Sequence, residues 1–313
     1  MKNPSNAPRA TWTPNPRRAA KASPYLPTAI ASQALSLRES RERDGKGVGN
    51  PGGGGGTARP GRGAGSAVRY APRPMAPPDA SPPFAAVISP VREVTLHGSA
   101  DLAPWRDVLR AEGLAPAESE GRARILVSAI ASSFKGKRFR EAVLSVGVAS
   151  PDGAPAGFLS QAFNSSRLFA FIERRVFRTP YVHAHVALDE APATGFEVRV
   201  GSVRVLRLAL GLPADARPRE PLRTAGDLFE GRIHLPSRPG AARTRGRWFH
   251  ARLEGEARFY AFDPALDACE IGPVPAHPTL ARLIDSGFRG ETWMIRDAGK
   301  HGRSKTFRSA AGA

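Results

Sequence analysis

Apolar and polar positions settle into regular rhythms along this chain only after about residue 85. "AAVISPVREVTLHGSA" (85–100) alternates as a strand entering a domain does. "DLAPWRDVLRAEGL" (101–114) then shifts to helical spacing, with Trp105, Val108, Leu109 and Leu114 on one face. Asp101 suits its cap, Pro104 its first turn and Gly113 its end. β-branched or alternating runs follow at 122–131, 141–150, 156–163 and 180–188, and "SPDGAPAG" between the second and third has hairpin chemistry. "GFEVRVG" and "SVRVLRLALG" predict a further hairpin with arginines on its outward face. "DLFEGRIHLP", "RGRWFHARLEGEARFYAF" and "TWMIRDA" add strands, and "HPTLARLIDSGF" (277–288) predicts a second short helix ended by Gly287. Many short strands between turn signals predict a mainly β fold, a barrel or sandwich carrying a few short helices.

"NSSRLFAFIERRVFRTPYVHAHVAL" (164–188) carries the most chemistry. Asn164, Ser165 and Ser166 can cap a helix by accepting from its unpaired backbone donors. Leu168, Phe171, Ile172 and Val176 recur at helical spacing and predict one buried stripe. Arg174 and Arg175 fall in the last turn, where cations offset the helix dipole and stay solvated. A strand follows the turn at Thr179-Pro180. Strand alternation puts Tyr181, His183, His185 and Ala187 on one face, with Val182, Ala184, Val186 and Leu188 on the aliphatic core face. The first face meets either solvent or the lumen of a barrel.

Composition divides the chain in two. Residues 1–85 include "PGGGGGTARPGRGAGS" and a Pro-rich run, and bury too little apolar surface to offset the entropy of ordering. We expect a disordered basic tail and linker there, followed by one domain at 86–313. The formal net charge is +18, and half of it sits on the tail. Within the domain, arginines alternate with acids and form no dense block. A nucleic-acid role would therefore rest on phosphate contacts from the tail. The first 38 residues lack any acid, a bias shared by organelle-targeting segments and plain basic tails; we read a tail.

Several chemistries have little support. One cysteine, Cys269, excludes an intramolecular disulfide and a thiolate zinc site, and makes a reducing, cytoplasmic setting the expectation. No apolar run is long enough to span a bilayer as a helix. His183 and His185 could offer two imidazoles to a metal, but His234, His250 and His301 supply no third ligand by spacing, so no metal is expected. There is no G-x-S-x-G elbow and no Gly-rich phosphate fingerprint, and no cofactor is expected. Glu141 and Glu173 are the acids near the proposed pocket, and ion pairing with arginines is their expected role. "WMIRDAGKHGRSKTF" (293–307) reads as a strand followed by a solvated basic terminus.

Taken in order, the pieces from about 90 to 308 resemble the acetoacetate decarboxylase-like superfamily. The resemblance rests on the strand, helix and Leu-x-Pro segment of "VREVTLHGSADLAPWRDVLRAEGLAPAE", on "SFKGKRFREAVLSVGV", and on a helix running through a basic pair into an x-Pro-aromatic strand, "IERRVFRTPYVHAHV". It implies a closed, largely antiparallel β-barrel with short helices outside and a small-molecule cavity inside. Decarboxylases of this group use a lysine pair at that helix end, one lysine forming a Schiff base while its neighbour lowers its pKa. Arg174 and Arg175 occupy the matching positions here, and a guanidinium stays protonated and forms no such imine. Lys135 and Lys137 are the lysines near a plausible pocket mouth.

The resulting expectation is an intracellular barrel that binds a small anionic organic molecule resembling a keto or hydroxy acid. Arg174 and Arg175 would clamp its carboxylate, and Tyr181, His183, His185 and Glu141 would line the adjacent wall. Lyase-like turnover without a Schiff base is compatible with that set. A structural or partner-binding barrel, and a nucleic-acid binder acting through the tail, are the alternative readings. No oligomeric state follows from the sequence.

Overall fold

The computed structural model describes residues 82–308 apart from 151, 190–193, 214–217, 227–228, 238–245 and 273–276. The tail expected over 1–85 thus lies, up to residue 81, outside the described residues. In chain order the elements are β1 (Phe84–Asp101), α1 (Leu102–Ala111), β2 (Glu118–Ser119), β3 (Arg122–Phe134), β4 (Lys137–Gly147), β5 (Ala156–Asn164) and α2 (Arg167–Ile172). A π turn (Glu173–Phe177) continues α2, then come β6 (Tyr181–His183), β7 (His185–Leu188), β8 (Thr194–Val200), β9 (Val203–Leu210) and β10 (Arg223–Gly226). β11 (Phe229–His234), β12 (Arg247–Glu254), β13 (Glu256–Ala261), β14 (Ala268–Ile271), α3 (Pro278–Asp285) and β15 (Arg289–Arg308) complete the domain.

β1, β3, β4, β5, β11, β12 and β15 pair in that order, and β15 returns to β1, closing a seven-strand barrel. Every pairing in the ring is antiparallel except β5 with β11. β15, 20 residues long, is the seam. It pairs with β1 along one edge, and with β13 and then β12 along the other. Register shifts between β1 and β15 bend both strands. At Gly98, beside one of these shifts, a Cβ would lie 2.1 Å from the Arg289 carbonyl oxygen, so the close crossing requires glycine.

A second sheet, β14-β9-β8-β7, lies against the outside of the barrel. Alternation along the barrel strands creates the layer between them. Val94 and Leu96 of β1, Val127 and Ala129 of β3, and Leu144 and Val146 of β4 meet Val186, Phe196, Val198 and Leu208 in one buried cluster. Trp105 and Leu109 of α1 and Leu280 and Leu283 of α3 join it, as the helical spacing predicts for α1. The Trp105 indole nitrogen donates to Ser286 Oγ at 3.0 Å, tying α1 to the end of α3. Each fully buried large side chain of this kind contributes ~1.5–3 kcal/mol. No helix among the described residues is long and apolar enough to cross a membrane.

The strand expected over 180–188 is two strands. β6 adds to the barrel edge parallel to β5, and after Ala184 the chain leaves for the second sheet as β7. The hairpin β8–β9 forms as predicted, and its Arg204 and Arg207 pair with Glu270 at 3.0 and 2.8 Å. The predicted solvated terminus is instead the second half of β15, with His301, Arg303 and Ser304 buried.

Candidate functional site in the barrel lumen

Residues directly opposite in a sheet share a face. Glu93 stands opposite Ile130 of β3 and Arg296 of β15, Ile130 stands opposite Glu141 of β4, and Glu141 opposite Asn164 of β5. Their neighbours Val94, Ala129 and Ala142 face the outer layer, so this row points into the barrel. The lumen therefore holds two polar clusters, both out of contact with solvent.

In the first, Glu93 pairs with Arg296 through Oε2, which also lies 3.3 Å from His301 Nε2. Thr95 Oγ1 donates to Glu93 Oε1 at 3.1 Å and makes a 2.6 Å contact with Ser128 Oγ. Burial lowers the pKa of His301, and lowers that of His97, one alternation further along β1, to about 4. Both imidazoles are neutral at pH 7. Arg296 Nε and both His301 nitrogens are buried without a hydrogen-bond partner.

The second cluster is assembled by the turn after α2. Ser166 caps α2 by accepting from the Phe169 amide at 3.3 Å, and Asn164 Oδ1 accepts from the Ser166 amide at 2.8 Å. After six residues the winding widens to π, and Glu173, at its start, lies on the same buried side as Phe169 and Ala170. Arg178, in the left-handed region at φ 58°, ends the turn. Arg247 of β12 fixes that end by donating to the carbonyls of Phe177, Arg178 and Pro236 at 2.6, 2.9 and 2.8 Å. Inside, Glu173 accepts from Arg303 Nη1 at 3.2 Å and from Thr179 Oγ1 at 3.0 Å. The Arg303 guanidinium lies over the Phe249 ring, 4.1 Å from its centroid.

Glu141 and Tyr181 complete the cluster. Asn164 Nδ2 donates to Glu141 Oε2 at 3.1 Å, whereas Glu141 Oε1 and the Tyr181 hydroxyl are buried without a partner of hydrogen-bonding geometry. The two groups are nevertheless close enough to influence each other's ionisation. Burial pushes the Glu141 carboxyl up to about 8, helped by the Glu173 carboxylate and opposed by Tyr181, Asn164 and Arg303. Burial likewise raises Glu173 and holds Tyr181 well above the ordinary phenol range. At neutral pH the site offers a protonated Glu141 carboxyl and a phenol beside the Glu173–Arg303 pair.

This differs from the site the sequence predicts. Glu141 and Tyr181 are in the lumen, but Arg174, Arg175, His183 and His185 are exposed. The predicted stripe on α2 is reversed: Leu168, Phe171 and Val176 are exposed, while Phe169, Ala170 and Glu173 are buried. Apolar residues stand on both sides of α2, so spacing alone does not choose between them; Phe169 packs edge-on against Phe139 and turns its own side inward. His185 loses its shared face with Tyr181 because the chain changes sheets at Ala184, and His183 is exposed at the last position of β6. Ion pairing, the expected role for Glu173, is found with Arg303. Among the described residues, no group of three His, Cys, Asp or Glu could hold a metal ion.

No family model matches the sequence, and no curated protein matches it. Solved structures do. An acetoacetate decarboxylase-like enzyme from Sphingomonas wittichii RW1 is 17% identical, with a TM-score of 0.45 over 71% of this chain and 92% of that one. Acetoacetate decarboxylase from Legionella pneumophila subsp. pneumophila str. Philadelphia 1 is 14% identical, with a TM-score of 0.47 over 78% and 93%. The enduracididine biosynthesis enzyme MppR, complexed with the condensation product of pyruvate and imidazole 4-carboxaldehyde, is 11% identical, with a TM-score of 0.48 over 73% and 90%. In fold the chain resembles acetoacetate decarboxylase-like proteins. The likeness concerns the fold alone.

The residues that sequence reading missed are Glu93, Arg296, His301 and Arg303. Their signal was present in "VREVTLHG", where Glu93, Thr95 and His97 alternate with Val94 and Leu96. A polar strand face ordinarily meets water, but in a closed ring it faces inward.

Proposed function

We propose that the barrel lumen binds a small carboxylate bearing a carbonyl or hydroxyl group, with Glu141 and Tyr181 contacting the carbonyl or hydroxyl end. The observation that carries this reading is the pair of buried polar atoms, Glu141 Oε1 and Tyr181 Oη, which influence each other but make no well-aligned hydrogen bond. Natural proteins leave few such atoms, because each costs ~1–3 kcal/mol of desolvation. A ligand oxygen between them would satisfy both. Arg303, 3.2 Å from Glu173 in the same cluster, supplies the positive charge for the carboxylate. Glu141, protonated at pH 7, can donate its proton to the carbon of a bound enol and take back the proton of the enol hydroxyl, a keto–enol tautomerisation that needs no other reactant. All four lysines of the described domain, Lys135, Lys137, Lys300 and Lys305, are exposed, which supports chemistry without an imine.

The lumen is charge-balanced when Glu93 faces Arg296 and Glu173 faces Arg303. An entering carboxylate therefore needs a proton to accompany it, and Glu173, whose pKa burial already raises, is the group to accept one. Titration calorimetry of the full-length protein with pyruvate, acetoacetate and lactate, in buffers of different ionisation enthalpy, tests this directly. Binding with proton uptake, weakened in Glu141→Gln and Tyr181→Phe, is the expected result. A second reading has its own support: Phe249 and Tyr181 have 0% and 1% of their surface exposed, as in a barrel filled by its own side chains. No binding in wild-type protein that melts cooperatively would favour that structural role.

A further inference from the structure

On the opposite side of β4 from Glu141, the outer wall of the barrel carries a cleft of ≈ 490 Å³. Arg140 and Arg92 stand on either side of Ala131, directly opposite it in register, so their Cα atoms are about 10 Å apart with a small residue between. Arg138 follows on the same face two residues before Arg140, about 7 Å along β4 and opposite Ser133. All three arginines and Ser133 line the cleft, as do Ser165 and Asp297.

Many surface arginines are paired with acids, and those of the cleft are not. Arg122, Arg204, Arg207, Arg232, Arg252 and Arg258 all have carboxylate partners. None of the guanidiniums of Arg92, Arg138 and Arg140 has an ion-pair or hydrogen-bond partner among the described residues. Asp297, the acid lining the cleft, is engaged by Arg258. Ser165 Oγ accepts from the Arg140 amide at 2.8 Å, which leaves its own proton to donate, and the Ser133 hydroxyl has no partner among the described residues.

We propose that this cleft binds the phosphoryl group of a small phosphomonoester. A phosphoryl dianion offers three oxygens on a tetrahedron, and guanidinium forks match them through paired N–H donors. Three uncompensated guanidiniums and two hydroxyls provide that charge and that number of donors. The volume left beyond the phosphoryl group accommodates a small organic portion against Ala131 and Pro90, which also line the cleft. A simple carboxylate would leave most of these donors unused. The site is separate from the lumen and does not depend on what the lumen binds.

The test is calorimetric titration of the full-length protein with inorganic phosphate and with ribose 5-phosphate, against chloride at matched ionic strength. Arg140→Ala and Arg138→Ala are the variants, since both side chains are exposed and each fold can be checked by its melt without ligand. Saturable binding of both phosphates, weakened at least tenfold in either variant and unchanged in Glu141→Gln, is the expected result. Binding of ribose 5-phosphate tighter than phosphate identifies the ester as the ligand class. Absence of saturable binding overturns the proposal. Binding retained in both arginine variants also overturns it, because the anion would then sit elsewhere, the basic residues of 1–81 included.

Discussion

Arg303 Nη1 lies 3.2 Å from Glu173 Oε1 inside the barrel, with 2% and 1% of the two side chains exposed. The partners come from opposite ends of the site's architecture, one from a π turn and one from the closing strand. Their attraction acts where water cannot screen it, and each would be stranded without the other.

Arg303→Met should therefore destabilise the fold, by up to ~3–5 kcal/mol, because Glu173 would be left buried either as an uncompensated charge or at the cost of taking up a proton. Adding Glu173→Gln should recover much of that loss. Urea denaturation of the two single variants and the double variant measures the coupling; additive effects would mean the pair does not interact.

Glu141 sets a loss of stability on the alkaline side. Its carboxyl titrates at an ordinary 4.5 when unfolded and at about 8 when folded, so the native state holds an extra proton between those values. The associated stability is complete below 4.5 and is lost as pH rises to 8, by up to about 1.4 kcal/mol per pH unit. Glu173 shifts in the same direction. The melting temperature should fall from pH 6.5 to 8, and Glu141→Gln should reduce that slope.

His97 acts with the opposite sign. Its pKa falls from 6.5 to about 4 on folding, so the unfolded chain holds the extra proton between those values and stability is lost on acidification. His234, also lowered to about 4 by burial, adds to it. Below pH 6.5 this slope offsets that of Glu141. Relative to the wild type, His97→Gln should therefore gain melting temperature on going from pH 6.5 to 4.5, whichever way the wild-type curve itself runs.

Substitutions at the exposed basic pair test the sequence-derived site. Arg174→Ala and Arg175→Ala should change stability by less than about 0.5 kcal/mol, as surface positions usually do. Arg175→Lys should give no covalent adduct with acetoacetate and borohydride, read by mass spectrometry. Labelling at that residue would return the chemistry to the helix end.

The strand-rich domain, α1, α3 and the two hairpins were legible because period and turn chemistry are local. So were Tyr181 and Glu141 as residues of interest. The reversed face of α2 was not legible, since apolar residues stand on both its sides and only the packing of Phe169 against Phe139 selects one. Nor was the crossing at Ala184, which tertiary pairing decides. Arg296 and Arg303 were hidden for a different reason. Arginines near a basic chain end read as solvated, and only ring closure, a contact between strands far apart in sequence, turns them inward.

Glu93 and Arg296 are 203 residues apart in the chain, and both belong to the seam between β1 and β15. During synthesis, β1 leaves the ribosome long before its second partner exists. Until then β3 can cover one of its edges, while the other edge and the Glu93 carboxylate stay open to water. Ring closure is thus a late, long-range event of the kind that slows folding and exposes strand edges to wrong partners. A nascent chain arrested before β15 would be a half-pipe with a wet acidic floor, a natural client for chaperones that shield unpaired strands.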